Sequence, residues 1–195
     1  MKQQDFQTGT WLNKPATSRL SEGELTITTD ANTDFWRDTY YGFRRDSGHF
    51  LGFETAGDFT AEVRLRGHFQ QLYDQAGLLV RIDETVWCKA GVEYNDGVIC
   101  PGAVVTREQS DWSVSQINLD YTDFWLRVTV AKGALQVRIS QDRTLWHLLR
   151  LSPFPVADRY LVGPMCCTPE RAGLEVTFSN LAIGPALTQG LHDQS

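Results

Sequence analysis

Two glutamates, Glu62 and Glu93, are the residues of this 195-residue chain best suited to moving a proton, each on a short stretch of alternating apolar and polar residues. A pair of carboxylates across a glycosidic bond is the minimum for its hydrolysis, one as acid and the other as base or nucleophile. The same alternation turns Arg64, Arg81, Trp87, Lys89, Trp125, Arg127 and Arg138 to the outer side of their stretches. If these stretches neighbour one another in one sheet, that sheet carries indole platforms among charges of both signs. Sugars suit such a face, because their C–H surfaces stack on aromatic rings and their hydroxyls bond to carboxylates and guanidinium groups. The competing reading is a solvated sheet face crossed by ion pairs.

The densest mixture of aromatic and charged residues lies at 33–53, TDFWRDTYYGFRRDSGHFLGF. From it Trp36, Arg37, Tyr41, Arg44 and His49 join Glu62, Arg81, Trp87, Lys89 and Glu93 as the candidate ligand-binding set. Asp46 lies three residues before His49, a His–Asp pair that could orient a ligand; a histidine satisfied inside the fold is the plainer alternative. Asp30, Asn32 and Asp34 open like a calcium loop, but Phe35 stands where the sixth position needs Gly and Tyr41 where the twelfth needs Glu. Cys88, Cys100, Cys166 and Cys167 have no zinc spacing, and the adjacent last two do not bridge each other within normal geometry. Buried free thiols, with no metal and no cofactor, are expected.

The elements that must position these residues read as strands throughout. Apolar residues alternate at 24–29, 59–66, 76–83, 85–94, 111–118, 124–130 and 135–140, and further strands are expected at 98–106, 146–151, 160–166 and 174–183. Two or three short strands are expected within 39–54, and Asn95-Asp96-Gly97 signals a hairpin. Pro101-Gly102 suggests an edge strand or a bulge, and 152–155 is where a short helical turn is expected. About a dozen strands with turns at short intervals imply an all-β sandwich or jelly roll. With 42% hydrophobic residues and no linker or low-complexity tract, residues 1–195 are expected to be one domain.

A formal net charge of -6 without a basic block argues against nucleic acid as a partner. No apolar run spans a bilayer and none follows Lys2, so no membrane association and a cytoplasmic location are expected.

Trp11-Leu12-Asn13, Thr33-Asp34-Phe35-Trp36, Tyr40-Tyr41-Gly42-Phe43 and Gly48-His49-Phe50 carry a resemblance, as do 75–81 and 87–94. The sequence resembles the family of unknown function that includes the yeast protein named for regulation of enolase. The later blocks are also similar to concanavalin A-like lectin and glucanase domains, including those appended to xylosidases. The resemblance implies a concanavalin A-like jelly-roll β-sandwich of two antiparallel sheets, one concave, with the ligand on the concave face. It implies no catalytic residues, and the Glu-x-Asp-x-x-Glu pattern of laminarinase-type hydrolases is absent. The expected function is a non-catalytic module for a saccharide, sugar-derived ligand or small polar metabolite. The alternatives are a protein-interaction domain that docks a protein partner through the aromatic block, and a glycoside-active enzyme using Glu62 and Glu93.

Overall fold

The computed structural model describes residues 1–188 and 190–194. Seventeen strands occur among them: β1 (Lys2–Gln3), β2 (Thr10–Leu12), β3 (Thr17–Ser21), β4 (Glu24–Thr28), β5 (Phe35–Arg37), β6 (Arg44–Asp46), β7 (His49–Thr55), β8 (Phe59–Gly67), β9 (Gln75–Arg81), β10 (Val86–Asn95), β11 (Val98–Arg107), β12 (Gln109–Val114), β13 (Asp123–Ala131), β14 (Ala134–Ser140), β15 (His147–Pro153), β16 (Tyr160–Cys167) and β17 (Glu175–Pro185). They build two antiparallel sheets. The first runs β15-β14-β13-β8-β17-β4-β3 with β1 beside β17, and the second runs β12-β11-β10-β9-β16-β7-β2. The short strands β5 and β6 pair only with each other.

The core between the sheets is made by the alternation visible in the sequence. Ala61, Val63 and Leu65 of β8 and Leu126, Val128 and Val130 of β13 meet Leu78 and Val80 of β9 and Cys88, Ala90 and Val92 of β10. Each inward residue fixes its neighbours outward, so the polar residues of β8, β13 and β14 belong to the outer face of the first sheet. Those of β9 and β10 belong to the outer face of the second.

That outer face of the second sheet is not bare. Phe35 and Trp36 of the β5–β6 ribbon pack onto Phe50, Leu79, Trp87, Val104, Met165 and Cys167, a second apolar cluster apart from the main core. Trp87, expected as an exposed platform, is 1% exposed beneath Phe35, with ring centroids 5.9 Å apart. Burying two large aromatic rings there contributes several kcal/mol toward holding the ribbon down.

Several expectations are corrected in detail. Strand β3 falls within the opening segment, and β5 starts ahead of 39–54. Strand β11 runs unbroken through Pro101 between β10 and β12. The Pro101 carbonyl accepts from the Ser115 N–H at 2.8 Å, so its nitrogen faces the same side, just past the last pair of β12. A missing N–H costs little where the neighbouring strand ends. No helical turn forms at 152–155: β15 runs through Pro153 and Phe154 is buried. The 3-10 turn occurs instead at Phe6–Thr8, where Asp5 accepts from the Gln7 N–H at 2.9 Å. No helix of the described residues is long and apolar enough to cross a membrane.

Gly48 joins the ribbon to β7, and a Cβ there would stand 2.2 Å from the buried Phe35 ring. Gly48→Ala is therefore expected to lower unfolding stability by about 1–3 kcal/mol, measured by urea denaturation, through overpacking alone. Unchanged stability would mean that the ribbon is not packed as described.

Candidate functional site

Between the ribbon and the second sheet lies a cavity of about 200 Å³. Strands β9 and β10 supply its floor through Gln75, Lys89 and Glu93. The ribbon supplies Asp34, Trp36, Tyr41, Phe43 and Arg45, and the far wall is Val104 and Trp112 of β11 and β12. Tyr73, Pro169 and Glu170 complete the rim.

Polar chemistry concentrates at Lys89, which is 5% exposed. Its ammonium donates to Asp34 Oδ1 and to Gln75 Oε1, each at 2.8 Å. Burial lowers its pKa, and its acidic neighbours, Asp34 foremost, together outweigh that and hold it above the ordinary value. Asp34 Oδ1 also accepts from the Phe35 N–H at 2.8 Å. Two of the three ammonium hydrogens are thus used among the described residues, which leaves one for an oxygen in the cavity.

Glu93 is the other titrating group of the floor. Burial pushes its carboxyl up to about 7; Lys89 opposes the shift and Asp34 adds to it. A protonated Glu93 donates one hydrogen bond, and an ionised one only accepts. On the rim, a hydrogen bond with Tyr41, together with burial, pushes the Tyr73 hydroxyl up to about 12. Tyr73 therefore keeps its proton. The floor and rim offer donors and acceptors at close quarters, and the Trp36, Tyr41 and Trp112 rings form apolar walls.

Of the ten residues expected at one site, Trp36, Tyr41, Lys89 and Glu93 line this cavity. The others do different work. Arg81 holds Asp46 through two bonds of 2.7 and 2.8 Å, clamping β6 to β9. This leaves Asp46 engaged away from His49. His49 Nε2 accepts from the Asp30 N–H at 3.0 Å, so Nδ1 carries the hydrogen and donates to the Asn13 carbonyl at 2.6 Å. Arg37 donates to the Glu108 and Glu84 carbonyls at 3.2 and 3.4 Å, tying β5 to nearby loops. Arg44 closes the ribbon turn on Asp38 at 2.9 Å, and Trp87 lies beneath the ribbon.

Glu62 requires a correction. Strand β8 belongs to the first sheet, so Glu62 and Glu93 lie on opposite outer faces of the sandwich with the core between them. They cannot act on one bond. Glu62 instead receives hydrogen bonds from Arg127 at 2.9 Å and from Arg143. The turn 30–34 shows no calcium geometry either: Asp34 bonds Lys89, and Asp30 accepts from the Ala16 N–H at 3.1 Å. Among the described residues no three His, Cys, Asp or Glu side chains gather as a metal ion would need, and all four cysteines are free and buried.

Asp34, Gln75, Tyr73 and Trp112 also line the cavity and were not in the expected set. Trp112 had a signal, an indole in an alternating stretch. Asp34 had one too, a carboxylate inside the Thr-Asp-Phe-Trp block. Gln75 had only its place at the start of the 75–81 block, and the folding of β9 against β10 brings it to Lys89; Tyr73, ahead of β9, had none.

Residues 11–186 match the family described as Protein of unknown function (DUF1349). Regulation of enolase protein 1 from Saccharomyces cerevisiae is 53% identical over 194 residues, spanning 100% of this chain and 98% of its own length. The solved structure of a functionally unknown protein from Saccharomyces cerevisiae superposes with a TM-score of 0.92 at 53% identity, over 94% of this chain and 100% of its own. A xylan β-1,4-xylosidase from Bacillus halodurans aligns at TM-score 0.69 and 14% identity, over 94% of this chain and 39% of its own. The carbohydrate binding module CBM66 from Bacillus subtilis aligns at 0.57 and 12%, over 90% of this chain and 96% of its own. At such identities these last two share the fold alone: the all-β jelly-roll sandwich that the sequence leads one to expect.

Because burial raises the folded-state pKa of Glu93 to about 7, against 4.5 ordinarily, its sign is fixed. Relative to the unfolded chain it stabilises below pH about 4.5, and the contribution is lost as pH rises through about 7. Glu93→Gln is expected to gain stability over the parent at pH 8, by on the order of 1–2 kcal/mol after solvent screening, and to gain nothing at pH 5. Denaturation at the two pH values measures this; equal differences at both would contradict the burial described.

Proposed function

The chain belongs to the DUF1349 family of proteins of unknown function, and from its site we propose that it is a non-catalytic binding module for a small, uncharged, hydroxyl-rich molecule of the carbohydrate class. The observation that carries this reading is the cavity of about 200 Å³ with a Lys89–Gln75–Glu93 floor and the Trp36, Tyr41 and Trp112 walls. Paired donors and acceptors below apolar rings suit the two faces of a sugar ring. An anionic ligand suits it less. Asp34, Glu93 and Glu170 outnumber Lys89 and Arg45 in the lining, and the Lys89 charge is already met by Asp34. A long polymer lying across the sheet suits it less too, because the ribbon occupies that face. The terminal ring of a short saccharide, entering end-on, fits. The kinship of fold with a carbohydrate binding module supports the class without supplying residues.

Thermal unfolding against a panel of mono- and disaccharides tests this. A ligand at a hundred times its Kd raises stability by about 2.7 kcal/mol. Trp112→Ala and Glu93→Gln are each expected to weaken binding by about tenfold or more, through loss of stacking and loss of the charged acceptor. Absence of any shift up to about 0.1 M sugar, or a shift untouched by both substitutions, rejects the reading.

A second reading is favoured by Tyr40, which is 94% exposed at the ribbon tip with φ +62. Its ring meets Tyr41 edge-on with centroids 5.1 Å apart and otherwise faces water, a small packing reward for a bulky residue in the left-handed region, and strain persists where a surface serves recognition. The relative named for regulation of enolase supports a protein contact there. Tyr40→Gly relieves the strain and removes the ring. It is expected to leave stability within about 1 kcal/mol and sugar binding intact while abolishing capture of an enolase partner. Undiminished capture would remove the hairpin tip from the interface.

A further inference from the structure

Strand register sets the outer face of the second sheet in rows. Gln75, Glu93 and Cys100 stand side by side in one row, and Leu79, Lys89, Val104 and Trp112 in another. The row between them is glycine: Gly77, Gly91 and Gly102, ended by Met165 of β16 and Val114 of β12. At Gly91 and Gly102 a Cβ would stand 2.0 and 2.4 Å from the carbonyl oxygens of Ala76 and Ser113, so close strand approach keeps side chains out. A recess of about 30 Å³ opens over these two glycines. It shares Gln75, Lys89, Glu93, Val104 and Trp112 with the main cavity, and Met165 and Val114 give it further apolar walls. Such a volume admits one small group and no ring.

The polar side of the recess has bonding capacity to spare. The Lys89 ammonium only donates, so Gln75 must turn Oε1 toward it, and the Cys167 thiol meets the same oxygen at 3.5 Å. Gln75 Nε2 is thereby turned the other way. Gln75 is 5% exposed, yet among the described residues its Nε2 has no partner and it opens on the cavity. Glu93, its cross-strand neighbour, accepts no hydrogen bond among the described residues. An unused donor and an unused acceptor thus stand with their Cβ atoms about 5 Å apart, beside an apolar recess. A hydroxyl answers either group, but a hydroxyl inside the recess finds walls that offer it no partner. A secondary acetamide answers all three features. Its carbonyl accepts from Gln75 Nε2 or from the remaining Lys89 hydrogen, its N–H donates to Glu93, and its methyl fills the space over the glycines.

We propose that the cavity selects an N-acetylated amino sugar, whose acetamido methyl occupies the recess over Gly91 and Gly102. This rests on the sugar reading and narrows it to one substituent. Calorimetric titration of the full chain with two pairs tests it: glucose against N-acetylglucosamine, and galactose against N-acetylgalactosamine. In at least one pair the acetamido member is expected to bind about tenfold tighter, from one buried methyl and the amide hydrogen bonds. Val114 is 44% exposed at the end of β12, so Val114→Phe fills the recess from outside the core. In that variant the ratio of affinities within the pair is expected to fall to about one, and a ratio cancels any general loss of binding. Acetamido sugars that bind no tighter than their parents overturn the inference and leave the sugar reading standing. A preference that survives Val114→Phe overturns it too, because the methyl then lies elsewhere. If none of these four sugars binds while another raises the melting temperature, the inference falls alone; if no sugar does, both readings fall.

Discussion

A buried ammonium stays charged only with a carboxylate beside it, and Lys89 on β10 obtains one from outside its own sheet. Asp34 is carried in by the chain just ahead of β5, and the 2.8 Å contact is what joins ribbon to sheet at the cavity floor. Much else follows from this pairing. Asp34 can reach Lys89 only if the ribbon lies flat on the second sheet. That in turn requires Phe35 over Trp87 and the Arg81–Asp46 clamp at the other strand of the ribbon. Removing either partner of the pair would leave the other charge buried and uncompensated, the costly way to break such a contact. The cavity is therefore a by-product of covering the sheet: it is the volume that the ribbon leaves open above Gln75, Lys89 and Glu93.

The two outer faces solve the same problem differently. Both carry charged residues at alternate positions, because strand geometry puts every second residue there. On the first sheet those charges pair across strands, Arg127 with Glu62 and Arg64 with Asp123. On the second sheet the charges pair with the ribbon instead, and the sheet's own apolar residues, Leu79 and Trp87 among them, gain a covering layer. Ionisable groups on this face are drawn out of water, which is why Glu93 titrates near 7.

The alternation at 59–66, 76–83 and 124–130 made the inward residues legible, because a period of two is written directly in the sequence. The pairing of strands was not. Nothing local in Glu62 or Glu93 states that β8 and β10 belong to different sheets; that follows from long-range pairing of β8 with β13 and β17. The outward Trp87 misled for a related reason. Its side was read correctly and its surroundings were not, since the covering ring comes from Phe35, distant in sequence. The aromatic and charged block at 33–53 was visible as unusual, yet its residues divided between those that line the cavity and those, such as Arg37 and His49, that fasten the ribbon. Charge and aromaticity look the same in sequence whether they meet a ligand or a neighbouring carbonyl.

The ribbon's fastening also decides which part of the cavity is rigid. Its floor stands on paired strands of the sheet interior, with Lys89 and Gln75 fixed by register. Its mouth depends on the turn at 38–42, where Asp38, Tyr40 and Gly42 all adopt positive φ. Two of these are not glycine, and each costs on the order of 1 kcal/mol to hold there. The turn is kept by the Arg44–Asp38 ion pair and by the Trp36 indole N–H on the Thr39 carbonyl at 3.0 Å. Tyr41 therefore takes its place at the rim from a strained backbone, whereas Lys89 takes its place from the sheet. A ligand that engages both gains orientation from the floor and can widen the mouth only by releasing strain already present in the turn.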